Sequence, residues 1–123
     1  MLRVHAKKLE KVAVLCLQGQ IVTGETESLR AAVSDLSGVS SVILDFARVS
    51  TIDAGGLGVM LGLREHMAAR GIRFALMNLS KGVSMVLAIA RLDTVFEITS
   101  GMEFFPRVER RRQASAALLA PCA

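Results

Sequence analysis

The sequence predicts a single α/β domain, in which a mixed, mostly parallel sheet of about five strands carries about four packed helices. The chain has 123 residues and is 52% hydrophobic, which suits one domain with a substantial core. Short β-branched apolar runs alternate with stretches whose apolar residues recur every three or four positions. Strands that alternate with helices favour a largely parallel sheet with helices packed on it.

The first half of the chain is predicted to form a hairpin, a helix and a third strand. Two runs at 2–9 and 12–20 are joined by a charged turn, and the second is apolar enough to be buried on both faces. A helix then follows a cap at Thr23 or Gly24, and its apolar face contains Leu29, Ala32, Val33 and Leu36. The third strand is predicted at 41–46.

The second half continues the alternation. A second helix is predicted over 56–70 and a fourth strand over 72–77, with Gly71 between them. Ser80 suits the N-cap of a third helix, and a short fifth strand is predicted at 94–98. Each of the parallel strands is therefore followed or preceded by a crossover helix.

The C-terminal residues differ in composition from the rest. Pro106 suits the first turn of a last helix that extends to about Leu118. The net charge of +4 is concentrated here, at Arg107, Arg110, Arg111 and Arg112. We therefore divide the chain into a domain at 1–110 and a basic, Ala-rich helix end and tail at 111–123. Because the basic charge lies in a tail, and the chain has no Trp or Tyr, we expect no nucleic-acid partner.

The sequence gives no indication of export, membrane insertion or metal binding. The N-terminus lacks the continuous apolar segment of a signal peptide, and no stretch approaches the ~20 apolar residues that cross a bilayer. Neither the two cysteines, Cys16 and Cys122, nor the two histidines, His5 and His66, lie at metal-ligand spacing. We expect a cytoplasmic protein with no cofactor, no metal and no integral membrane segment.

The most informative stretch is 49–62, which reads VSTIDAGGLGVMLG and joins the third strand to the second helix through a loop at 47–55. Its glycines are out of register with the dinucleotide fingerprint, and no Gly-Lys-Ser or Gly-Lys-Thr of a P-loop exists. No Ser lies in a Gly-x-Ser-x-Gly turn, so we expect no enzyme. Asp53 lies just ahead of the predicted helix start and suits its N-cap. A loop at this place on a rigid sheet commonly carries a recognition surface.

The predicted second helix has more apolar residues than one buried face requires. One apolar stripe is expected to face the sheet and part of another to be exposed for protein docking, although a broad buried contact explains the excess equally well. We predict a docking loop and helix formed by Thr51, Asp53, Ala54, Gly55, Gly56, Leu57, Met60 and Leu61.

The run Val42-Ile43-Leu44-Asp45-Phe46, followed by Val49, Ile52-Asp53 and Gly56-Leu57-Gly58-Val59, resembles STAS domains. The resemblance covers roughly residues 5–110 and is to the stand-alone bacterial anti-sigma factor antagonists. It implies that the chain binds an anti-sigma factor, a kinase of the histidine-kinase-like ATPase type, and thereby frees a sigma factor. It also implies inactivation by phosphorylation of a Ser or Thr in the loop before the second helix.

The sequence departs from the family pattern at that loop. The family usually has Asp-Ser-Ser-Gly or Asp-Ser-Thr-Gly, whereas this chain has Asp53-Ala54-Gly55-Gly56, so the usual phospho-acceptor is lost. The protein is therefore expected to be a constitutive antagonist, to be switched at Thr51 or Ser50, or to be an interaction module of a transporter or sensory complex. A STAS domain that binds a small ligand or nucleotide is a further alternative. The oligomeric state is not predicted.

Overall fold

A computed structural model describes residues 2–100 of the chain. Its elements are β1 (Arg3–Leu9), β2 (Val12–Ile21), α1 (Glu27–Ser34), β3 (Ser41–Ile52), α2 (Ala54–Ala69), β4 (Arg73–Met77), α3 (Lys81–Ile89) and β5 (Glu97–Ile98). One sheet has the order β1-β2-β3-β4-β5, antiparallel between β1 and β2 and parallel elsewhere. The predicted α/β fold with a mixed five-stranded sheet is confirmed. The described residues contain three helices; the fourth predicted helix, at 106–118, and the tail at 111–123 lie outside them.

The strand order places the three helices on one face of the sheet. From β2 to β5 each crossover advances by one strand in the same direction, and right-handed crossovers then all fall on one side. The packing agrees, because a single core cluster joins Leu29 of α1, Met60 of α2 and Leu87 of α3 to alternate residues of the central strands, among them Leu15, Leu44 and Leu76. We call this side of the sheet the helix face.

The opposite side of the sheet is also shielded from solvent. Val14, Ile43, Ala75 and Met77 alternate with the helix-face residues, and each is at most 1% exposed. The predicted burial of the second strand on both faces is therefore confirmed. We call this side the second face; within residues 2–100, all three helices pack on the other side.

The main difference from the sequence prediction is the length of β3. It continues to Ile52, six residues beyond its predicted end, so Ser50 and Thr51 lie on a strand and not in a loop. The extension pairs with the end of β2, where Gly19 opposes Val49 and Ile21 opposes Ile52. Two register shifts interrupt this pairing, and at each of them β3 has one residue more than β2, which disturbs the alternation by which the strand is recognised.

Smaller corrections concern the first helix and the last strand. The N-cap position of α1 is Thr26, not Thr23 or Gly24, because the backbone at Gly24 has φ +86° and cannot enter a helix. Ser80 caps α3 as predicted, since its hydroxyl accepts a hydrogen bond from the Val83 N–H at 3.1 Å. β5 contains only Glu97 and Ile98.

Candidate docking site

The junction between β3 and α2 is organised by Asp53. Its Oδ1 accepts a hydrogen bond from the Gly56 N–H at 2.8 Å, which satisfies one of the free donors of the first helical turn. The N-cap role predicted for Asp53 is therefore confirmed. The same carboxylate accepts from the Thr23 N–H, at 3.2 Å to Oδ1 and 3.1 Å to Oδ2. Asp53 thus connects the β2–α1 loop to the start of α2.

These hydrogen bonds stabilise the charged form of Asp53. The hydrogen bond from the Gly56 N–H, followed by that from the Thr23 N–H, lowers the pKa of Asp53 below its ordinary value. Partial desolvation of the carboxylate acts in the opposite direction. The Thr23 hydroxyl also hydrogen-bonds the carboxylate and lowers this pKa. A lowered pKa in the folded state means that the ionised carboxylate contributes to stability.

Asp53→Asn is expected to make folding less sensitive to acid. The contribution of Asp53 is complete above its unfolded pKa and is lost as the pH falls through its lower folded pKa, so wild type should lose more stability than the variant between about pH 5 and pH 2. Asparagine keeps a capping oxygen, so the variant should still fold. Urea denaturation of both proteins across this range measures the effect; parallel pH profiles would show that Asp53 makes no such contribution.

Two glycines bring the first turn of α2 against the β2 end of the sheet. A Cβ added at Gly56 would lie 1.9 Å from the main-chain oxygen of Ile21, and one added at Gly55 would lie 1.9 Å from Thr23 Oγ1. At Gly58 and Gly62, by contrast, an added Cβ meets nothing within 4 Å. The first pair therefore permits close packing, whereas the second pair faces open space.

The structure divides the predicted docking residues into two groups. Exposed at the surface are Thr51, Asp53, Ala54 and Gly55, and Leu61 is half-buried. Gly56, Leu57 and Met60 are buried. The apolar contact predicted from Leu57 and Met60 is therefore corrected, because both side chains belong to the core that α2 forms with the sheet.

The exposed side of α2 consists mainly of small residues, which the sequence prediction did not include. Gly58 and Gly62 contribute to a shallow groove of about 330 Å³ between α1 and α2, beside the half-buried Val59. Arg30 of α1 and His66 of α2 also line this groove. Most of the excess of apolar residues in α2 is explained by burial, and residues 54–62 of the helix carry no charged side chain.

The other acid of this region, Asp45, is buried and hydrogen-bonded within the fold. It is 2% exposed and accepts hydrogen bonds from the Ala47 N–H at 2.9 Å and from Asn78 Nδ2 at 3.1 Å.

In the part of the chain that the structure describes, no group of three or more His, Cys, Asp or Glu side chains is arranged to hold a metal ion. None of the helices between residues 2 and 100 has the length and apolarity required to span a bilayer.

The fold and this junction define a known class of domain. The family model for the STAS domain matches residues 3–110, and the chain belongs to the STAS domain family. Over 112 residues it is 28% identical to BtrV of Bordetella bronchiseptica, which carries the name of an anti-sigma factor antagonist; the match covers 89% of each chain. It is also 30% identical over 57 residues to a STAS-domain-containing protein of Pseudomonas aeruginosa, of which it spans 56%.

Solved structures agree with this assignment. The unphosphorylated form of the anti-sigma factor antagonist SpoIIAA superposes with a TM-score of 0.69 at 25% identity, covering 87% of this chain and 96% of that chain. The phosphorylated form of SpoIIAA from Bacillus has the same fold, with a TM-score of 0.64 at 24% identity over 86% of this chain and 99% of that chain. The resemblance to anti-sigma factor antagonists inferred from the motif is confirmed.

Proposed function

We propose that this chain is a non-enzymatic regulator of the anti-sigma factor antagonist type, which binds an anti-sigma factor and so frees a sigma factor. The observation that carries the proposal is the exposed first turn of α2. Ala54 and Gly55 lie at the surface of a junction in which the Asp53 carboxylate, accepting main-chain N–H hydrogen bonds, connects the β2–α1 loop to the start of α2. A rigid, exposed junction with small side chains suits close approach by a partner protein.

The proposed docking surface comprises residues 50–62 on their exposed side. Ala54, Gly58 and Gly62 let a partner's backbone approach α2 closely, and the half-buried Val59 and Leu61 supply apolar contact. This replaces the predicted contribution of the two buried side chains. The partner that best suits the family resemblance is an anti-sigma kinase of the histidine-kinase-like ATPase type.

The usual phospho-acceptor of the docking loop is absent from this surface. Neither Ala54 nor Gly55 has a hydroxyl. The two predicted alternatives, Ser50 and Thr51, are exposed on β3, and the Ser50 hydroxyl donates to the Gly19 carbonyl oxygen at 3.3 Å. Without a phosphate at positions 54 and 55 the loop keeps its unmodified, binding-competent form, because a phosphate would add about two negative charges at the interface.

A binding experiment tests this proposal. The purified chain is titrated into candidate anti-sigma kinases with ATPase folds, with and without nucleotide. Binding is measured by isothermal titration calorimetry or by electrophoretic mobility in a native gel. We expect a saturable complex and release of sigma factor from a preformed kinase–sigma complex. Capture of only transporter or sensory proteins, with no binding to any such kinase, would favour the STAS interaction module and reject the antagonist.

A further inference from the structure

The hydroxyl of Thr23 occupies the space that a side chain at position 55 would need. A Cβ built on Gly55 would lie 1.9 Å from Thr23 Oγ1 and 3.0 Å from Thr23 Cβ. Thr23 belongs to the loop between β2 and α1, 30 residues from Asp53, and its side chain is exposed. A hydroxyl is therefore present at the surface beside positions 54 and 55, which have none.

Asp53 holds this hydroxyl in place. The Thr23 N–H donates to both carboxylate oxygens of Asp53, and its hydroxyl hydrogen-bonds the same carboxylate. Asp53 is in turn fixed to the start of α2 through the Gly56 N–H. A protein kinase bound to the exposed turn of α2 would thus meet an ordered hydroxyl within the docking surface.

We propose that Thr23 is the phospho-acceptor of this protein and replaces, from a neighbouring loop, the hydroxyl that positions 54 and 55 lack. This inference rests on the proposed function, because the kinase must first dock at α2. In the reaction, Thr23 Oγ1 attacks the γ-phosphorus of a nucleoside triphosphate held by the kinase. The new O–P bond replaces the bond to the bridging oxygen, the nucleoside diphosphate leaves, and the hydroxyl proton passes to the kinase or to water.

Phosphorylation here would oppose binding. A phosphate on Thr23 adds about two negative charges beside the Asp53 carboxylate, which already carries one. The hydroxyl also loses its proton, so it no longer donates to Asp53. These added charges must be desolvated when a partner binds, which lowers the affinity. The modified protein should release its partner.

Mass spectrometry can locate the phosphate. The full chain is incubated with the kinase and ATP and digested with trypsin, which separates residues 12–30, containing Thr23, from residues 49–64, containing Ser50 and Thr51. We expect phosphate on the first peptide only, and fragment ions should assign it to Thr23 and not to Thr26 or Ser28. Thr23→Val should abolish labelling, and the matched variant Thr51→Val should retain it.

A relocation experiment sharpens this test. In the double variant Thr23→Gly with Gly55→Ser, the loss of both Oγ1 and Cβ at position 23 opens space for the new side chain, and the label should move to the 49–64 peptide. Thr23→Glu should weaken kinase binding by at least about tenfold, whereas Thr23→Val should not. Label on Ser50 or Thr51, or no label on a chain that binds the kinase, overturns the Thr23 assignment alone. Absence of kinase binding rejects the proposed function instead.

Discussion

Replacing Gly56 with alanine is expected to lower the free energy of unfolding by roughly 2 kcal/mol or more. The added Cβ would lie 1.9 Å from the main-chain oxygen of Ile21 and 2.8 Å from its carbonyl carbon. Backbone cannot rotate away as a side chain can, so α2 must move from the sheet. That movement would strain the Asp53 hydrogen bond to the Gly56 N–H and loosen the packing of Leu57 and Met60.

Gly58→Ala is the matched control, two residues further along the same helix. An added Cβ there meets nothing within 4 Å, and alanine has the higher helix propensity by about 1 kcal/mol. The control should therefore be as stable as wild type or more so. Urea denaturation measures the free energy of unfolding of both variants. The m value, the dependence of this free energy on urea concentration, should stay unchanged if the transition is two-state. Equal stabilities of the two variants would contradict the close packing at Gly56.

Replacing Ala54 with aspartate is expected to weaken partner binding by at least about tenfold while leaving the fold intact. Ala54 is exposed at the first residue of α2, where a negative charge is favourable to the helix. The same charge lies in the centre of the proposed docking surface, beside Asp53. Stability and binding should thus change in opposite directions, which separates docking from folding.

Ala69→Asp provides the control for this binding prediction. Ala69 is exposed at the other end of α2, so the variant carries the same charge change on the same helix. It should bind the partner as wild type does, and calorimetric titration of both variants compares the affinities. If both lose affinity equally, a general charge effect would explain the loss, and docking at the α2 start would be wrong.

The order of the described elements could be predicted from the sequence because each depends on local pattern. Strands β2 to β4 each contain a short apolar run, α3 begins after its capping Ser80, and Asp53 precedes a helix as an N-cap residue does. Such signals act over a few residues. The family motif around Asp53 lies in the same short range and led to the correct family.

What could not be predicted depends on contacts between distant parts of the chain. The extension of β3 to Ile52 requires pairing with the irregular end of β2. Thr23 meets Asp53 across 30 residues of sequence, and no local pattern indicates that its hydroxyl fills the space beside Gly55. An excess of apolar residues in α2 was consistent with either exposure or burial. Whether the Leu57 and Met60 side chains point to the core or to solvent depends on how α2 crosses the sheet.

The central claim, that this STAS domain is a protein-docking module acting through the start of α2, is tested most directly by mapping its complex. Amide chemical shifts of the labelled chain are followed while an unlabelled anti-sigma kinase is added. We predict saturable changes concentrated at residues 50–62 and at Thr23, which Asp53 connects to them, and their loss in the Ala54→Asp variant. Saturable changes confined to other surfaces, or a complex unaffected by that substitution, would contradict the account.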